Sequence, residues 1–332
     1  MKTQPLSSSE IGTLWMTFQQ KTMILRILEY FIEQADDDEA KEIMKDTHEK
    51  AAGYVDDIKR IFREEGAVIP IGYTEEDVHP GVPKLYDNGF DIMFLRLLKE
   101  ISMGMHTLHL NLSFRKDIVM LYKELTGFTQ SVYDQCVDYL QKHALLPASP
   151  PVTMPKKVEF AESPRYMKGF NVFSSKRTLN TIEVGYIHFS IESNSIGMRM
   201  ITGFSQVANE PEVRKYFQKG KDLAKKIIDD YSEQLLNSDI QPQLPSGGNV
   251  TTSKTAPFSD KLMMYCTSLF CSFALGNNAI GTAFSMRSDL PFTLMGTAKD
   301  ILTYSHEGGK LMAKNGWMEE PPQMEDRNNL VK

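Results

Sequence analysis

SSSEIGTLWMTFQQKTMILRILEYFIEQADDDE, residues 7–39, decides the fold. Ser7, Ser8 and Ser9 ahead of Glu10 offer side-chain oxygens to the orphan N–H groups of a helix start. Ile11, Leu14, Trp15, Phe18, Leu25, Leu28 and Phe31 or Ile32 then recur at helical spacing. The acidic run Asp36-Asp37-Asp38-Glu39 interrupts that pattern and opens a second helix, where negative charge suits the positive end of the dipole. The second helix carries Ile43, Met44, Ala51, Tyr54, Val55, Ile58 and Phe62 to a stop at Gly66. Two helices joined by so few residues form an antiparallel hairpin.

The rest of the chain repeats this unit. A third helix is expected from about Asp87-Asn88, and a fourth from about Lys116-Asp117 to His143. A shift of 173 pairs Leu6 with Leu179, Glu10 with Glu183, Gly12 with Gly185, Arg26 with Arg199, Phe31 with Phe204 and Asp56-Asp57 with Asp229-Asp230. Past the middle loop the shift is 172, pairing Pro70 with Pro242, Leu97 with Leu269, Arg115 with Arg287 and Asp117 with Asp289. Identity is low, but one single-residue slip in a loop keeps every apolar segment in phase. The second copy's helices are expected from about Asn180, Glu210, Ser259 and Asp289. The last ends at Lys314-Asn315-Gly316, a C-cap signal followed by Pro321-Pro322. Strand patterning is almost absent, so the chain is all-α.

Connection lengths choose the topology. About 20 residues, Gly66 to Tyr86, separate helices two and three, with Pro70, Pro80 and Pro83 among them. A helix of about 28 residues is roughly 42 Å long, a span that such a segment can cover when extended. One long crossover is the ferritin-like connectivity, and residues 241–258 repeat it. The expected organisation is two tandem ferritin-like four-helix bundles, 1–146 and 179–322, with a linker at 147–178 and a polar tail at 323–332.

Composition bounds the function classes. Of 332 residues 41% are apolar and 24% charged, which is a globular balance. A net charge of −6 excludes a generally basic protein wrapped on nucleic acid. Cys136, Cys266 and Cys271 have no metal-ligand spacing and leave an odd count, which suits a reducing compartment. Met1 to Ser9 lacks an apolar signal region. Leu262 to Met286 is uncharged, but Gly276, Asn277, Asn278 and Gly281 lower its hydropathy. A buried helix is the better reading than a membrane span, and the expected location is cytoplasmic.

A family resemblance rests on particular stretches of the second half. They are Arg177-Thr178-Leu179-Asn180, Gly203-Phe204-Ser205-Gln206-Val207 and Pro257-Phe258-Ser259-Asp260-Lys261-Leu262-Met263-Met264. Ser285-Met286-Arg287-Ser288-Asp289 and the closing Lys314-Asn315-Gly316-Trp317-Met318-Glu319-Glu320-Pro321-Pro322 complete the set. With these the chain resembles domain-of-unknown-function family 3231. The resemblance implies paired ferritin-like bundles and a setting in spore-forming bacteria, where members are sometimes labelled spore-coat-like. It implies no catalytic residues.

A ferritin-like bundle raises the question of a di-metal centre, which needs Glu from two helices and Glu-x-x-His from the other two. The single Glu-x-x-His, Glu76 to His79, lies in the crossover before Pro80. His48-Glu49 are adjacent and so diverge; His106 and His109 share a helix face without an evident inward carboxylate. The second copy offers His188 and His306-Glu307 without a ligand set. His48, His106 and His109 are therefore weak metal candidates, core or surface histidines are favoured, and no cofactor is expected. There is no Gly-x-Ser-x-Gly elbow, phosphate-binding loop or Cys-x-x-Cys, and Cys266 and Cys271 read as inert core thiols. Gly308-Gly309 reads as close helix packing or as room for a small ligand.

Nineteen methionines, among them Met23, Met44, Met198, Met200, Met263 and Met264, fall mostly at core spacing. The linker carries Lys156, Lys157, Arg165, Lys168, Lys176 and Arg177 against Glu159 and Glu162, interleaved with Phe160, Tyr166, Phe170 and Phe173. Such a strip can grip an anionic partner, or pin the linker by docking its rings; pinning is favoured, and nucleic acid is disfavoured. Arg115 with Asp117, and Arg287 with Asp289, read as an Asp cap and an Arg tie at each hairpin corner. The functional expectation is a non-catalytic structural or interaction protein, linked to sporulation or the spore coat, with a protein partner or a homo-oligomer. The alternative is a ligand- or metal-binding bundle, an enzyme with a non-standard site included.

Overall fold

The computed structural model describes residues 4–170 and 176–330. Phe173 of the linker, the first three residues and the last two lie outside the described residues. Eight long helices carry the fold: α1 (Ser8–Gln34), α2 (Asp38–Glu64), α3 (Phe90–Asn111), α4 (Lys116–Lys142), α5 (Thr181–Val207), α6 (Pro211–Leu236), α7 (Asp260–Phe284) and α8 (Asp289–Lys314). Among the described residues extended pairing is confined to two isolated bridges, so the all-α reading holds.

Local chemistry explains the boundaries. Ser7 and Glu10 form a reciprocal capping box at α1, and Asn180 with Glu183 forms the same box at α5. Gly66 and Gly316 follow α2 and α8 with φ near +67°, where a side chain would strain the backbone. The third helix begins at Phe90, one turn later than Asp87-Asn88 suggested. Asp87 N–H instead donates to the Asn249 carbonyl, tying that residue to the other crossover.

Each hairpin packs antiparallel, as its short connection requires. In the first bundle α1 and α2 meet through Trp15 and Phe62, whose rings stand edge-on at 6.4 Å, and α2 meets α4 through Tyr54 and Phe128. The crossover runs the length of the bundle. Glu65 pairs with Arg115 at one end, while Lys84 reaches Asp36 at 2.7 Å at the other. Glu39–Lys142 and Glu212–Lys314 are the same ion pair in the two bundles.

The repeated arginines sit in the corner where α3 meets α4 and α7 meets α8. Arg115 grips both Asp117 oxygens at 2.8 Å and also binds Glu65 and the Gln4 carbonyl. Arg287 grips Asp289 and adds Gln234 and the Arg177 carbonyl. The tie is therefore present twice. The aspartates are not the caps expected of them: Arg115 and Ser288 hold the N-cap positions without a side-chain cap bond. Asp117 and Asp289 lie in the first turn, where they clamp the arginine and suit the dipole.

One apolar core runs through both bundles, and the first bundle holds a second around Trp15 and Phe62. The crossovers pair antiparallel at Val78–Phe258 and Tyr86–Val250, pairs that exchange under the repeat and so define an approximate two-fold. Phe94 stacks on Phe270 at 5.4 Å, Tyr30 meets Phe258 at 5.1 Å, and the Tyr86 hydroxyl donates to the Met200 carbonyl at 2.7 Å. Gly203 makes room for the Tyr86 ring, and Gly308 for the Tyr216 ring, so close packing accounts for Gly308. Nothing lies within 4 Å of the Cβ position at Gly309.

At the same interface Arg96 is buried between Glu100, at 2.8 Å, and Glu192. Burial raises the Glu100 carboxyl to about 7; Arg96 pulls it down and Glu192 pushes it up. The folded state thus holds a proton that the unfolded chain releases near 4.5, and stability from this group falls as pH rises from about 4.5 to 7. Glu100→Gln is expected to flatten that fall, which urea titrations at pH 5 and pH 8 would read.

Candidate functional site in the bundle interiors

The first bundle has a polar, basic centre. Lys21 on α1 and Lys99 on α3 are fully buried on positions that the helical period points inward. Both ammonium nitrogens approach the Phe128 ring, at 6.0 and 5.3 Å from its centroid, and neither has a hydrogen-bond partner among the described residues. Around them lie Gln20, whose amide nitrogen donates to Ser102 at 3.1 Å, and His106, whose Nδ1 is 3.2 Å from the Thr129 hydroxyl. One turn further on, the Thr17 hydroxyl lies 3.1 Å from both His109 Nδ1 and the Tyr122 hydroxyl.

Burial sets the protonation of this cluster. It lowers Lys99 to about 8, a fall that the nearby Cys136 opposes. Burial and then repulsion from Lys99 carry Lys21 well below the ordinary lysine value. His109 falls to about 4 by burial, and His106 falls well below its usual value through burial, Lys21, His109 and Lys99. Burial raises the Cys136 thiol to about 12, against the pull of Lys99 and Arg96.

The weak metal candidates separate. His106 and His109 are buried beside Tyr122, whereas His48 lies half-exposed on α2 with Nε2 3.1 Å from Glu29. Among the described residues no group of three or more His, Cys, Asp or Glu converges as a ligand set. The residues at the centre do not fit a di-metal site, because two lysines stand where carboxylates would have to hold the ions.

The second bundle differs at the equivalent positions. Asn194 replaces Lys21, Cys271 replaces Lys99, Gly220 replaces Thr47 and Gly197 replaces Ile24. In their place is a cavity of about 80 Å³ between α5, α6, α7 and α8, reached also by Leu97 of α3. Its walls include Met200, Ile201, Ile227, Phe270, Ile301 and Tyr304. Sequence reading missed both centres. The available signal was Gln19-Gln20-Lys21-Thr22, a polar tetrad interrupting the apolar stripe of α1, which recurs at Glu192-Ser193-Asn194-Ser195 with Asn194 in place of the lysine.

The linker is fastened at its second half. Arg177 lies 4.3 Å over the Tyr166 ring and pairs with Glu183; Phe170 meets Phe292 edge-on at 5.1 Å; and Gly169 N–H donates to the Ser288 hydroxyl. Phe160 is 85% exposed and so is not docked. No helix among the described residues is long and apolar enough to cross a membrane, which answers the question raised by Leu262 to Met286. Met23, Met44, Met200, Met263 and Met264 are core filler, and all three cysteines are buried and unpaired.

Comparison with known proteins adds the following. No curated protein matches the chain. A solved structure of a provisionally named spore coat protein from Bacillus halodurans C-125 is similar, at 15% identity and a TM-score of 0.43. The similarity covers 45% of this chain and 98% of that one. A family profile, described as "Protein of unknown function (DUF3231)", matches in two tandem segments, residues 1–158 and 167–330. Matched over nearly its whole length by that profile, in two segments that follow its own repeat, the chain belongs to this family.

Proposed function

We propose that this chain is a non-catalytic interaction protein of spore formation, acting in the cytoplasm or carried into the spore. In this reading residues 1–146 and 179–322 are ferritin-like bundles, 147–178 is a fastened linker and 323–332 a polar tail. The observation that supports it is an apolar surface repeated on both bundles. On α3 the stripe Phe94, Leu97, Ile101, Met105, Leu108 and Leu112 starts inside the contact between bundles. It then runs out to solvent, with Leu108 64% and Phe114 77% exposed. The equivalent positions Ile280, Phe284 and Met286 are also exposed. Isolated exposed apolar side chains need no explanation, but a contiguous set marks an interaction site.

The occupant best supported is a second copy of the chain. The exposed set continues, by helix register, a face that already packs against its own repeat about an approximate two-fold. Closed two-fold association asks for that kind of self-complementary surface. Sedimentation equilibrium is expected to give twice the 37.8 kDa chain mass. Leu108→Glu combined with Phe284→Glu is expected to return the monomer with unchanged helicity. A wild-type chain that stays monomeric up to about 100 µM would overturn self-association, since only contacts weaker than that would then remain.

A further inference from the structure

We infer that the cavity inside the second bundle is a binding site for a small, uncharged, apolar molecule, of the size of one aromatic ring. The repeat shows how the space arises. Ile24 and Lys99 are fully buried in the first bundle and fill this level, as do Lys21 and Thr47. Gly197, Cys271 and Asn194 replace Ile24, Lys99 and Lys21 with shorter side chains, while the room left at Gly220 is taken by Tyr304 and Ile201. The resulting space of about 80 Å³ exceeds what one water needs.

The lining selects the ligand class. No lining residue is charged, so an ion would enter without a counter-charge. Polar side chains are already satisfied within their own helices: Asn194 Nδ2 and the Ser193 hydroxyl donate to the Ser190 carbonyl, and the Thr267 hydroxyl donates to that of Met263. The Tyr304 hydroxyl is buried, closes over Gly220 and faces the Tyr216 hydroxyl, on a ring stacked 4.2 Å from that of Tyr216, so it too is engaged. Half-buried Asn194, Leu223, Phe270 and Ala274 form the solvent-facing part, through which a ligand can pass.

The test is a phenol titration of the full chain, followed by melting temperature and by the methyl NMR signal of Met200, which lines the cavity. Phenol is expected to raise the melting temperature and shift that methyl saturably. Benzoate, which would bury a charge, is expected to bind at least about tenfold more weakly. Benzene, which carries no hydrogen-bonding group, is expected to give the same saturable response. Gly197→Ile, which restores the first repeat's residue, is expected to abolish the response. Gly197→Ala is the milder companion, because its Cβ would meet only Phe270, at an ordinary 3.8 Å. An unshifted Met200 methyl at saturating phenol, equal binding of benzoate, or full binding by both glycine variants would overturn the assignment.

Discussion

Glu183→Ala is expected to cost about 4 kcal/mol of unfolding free energy, enough to leave the second bundle marginal at room temperature. Glu183 is fully buried and accepts from the backbone N–H groups of Asn180, Met286 and Arg287 while pairing with Arg177 at 2.7 Å. One carboxylate therefore caps α5, closes the α7–α8 corner and fastens the linker. Removing it strands the buried Arg287 donor, two part-buried donors and a guanidinium, costing up to about 1–3 kcal/mol each before relaxation. Glu10 does the same at the first corner, accepting from Ser7, Phe114 and Arg115, but it holds no arginine. Glu10→Ala should cost less. Burial alone would raise the Glu10 carboxyl, yet the N–H donors of Arg115, Ser7 and Phe114 and the Ser7 hydroxyl hold it down to about 2. Its contribution is fully present above about 4.5 and is lost as pH falls through about 2. Urea midpoints of the two variants at pH 7, and acid titration of the parent, check both statements. A Glu183→Ala midpoint within error of the parent would refute this account of the corner.

Lys21→Met is expected to stabilise the protein, by about 2 kcal/mol at pH 7, because it removes a buried amine that has no partner among the described residues. The ammonium is fully buried near Lys99 and His106, both basic, and the described residues offer it no partner. A methionine of similar length keeps the packing and removes the desolvation cost. The pH dependence gives an independent reading. Lysines whose folded pKa is depressed carry the full burial penalty at low pH, where both states are charged. That penalty is relieved as pH rises through the folded value, about 8 for Lys99, toward the unfolded 10.5. Stability should therefore climb between about pH 8 and 9.5, a window below the raised tyrosines Tyr30 and Tyr122 at about 12. The climb should be smaller in Lys99→Met. If Lys21→Met destabilised the protein, Lys21 would have to hold a partner that compensates its charge.

Much of the architecture is local and was therefore legible. The caps at Ser7 and Asn180, the acids opening α2, and the glycines after α2 and α8 act within one turn of chain. The tandem repeat was legible because its evidence is co-linearity rather than identity. The recurrent Arg–Asp pairs announced a structural tie, but the cap role assigned to the aspartates was wrong, since neighbouring residues hold the N-cap positions. The bundle centres were not legible. Lys21 and Lys99 lie 78 positions apart on separate helices, so no local pattern marks them as members of one cluster.

The sequence by itself determined the helices, their pairing into hairpins, the long crossovers and the duplication, because caps, periodicity and connection length are short-range properties of the chain. Only the tertiary structure decided what the duplicated positions became. Burial is a property of all the helices around a site together, so the same level of the fold holds two unpaired amines in one bundle and an apolar cavity in the other. The pairing of crossovers that joins the bundles into one core likewise depends on residues more than 160 positions apart, whose contact no local pattern encodes.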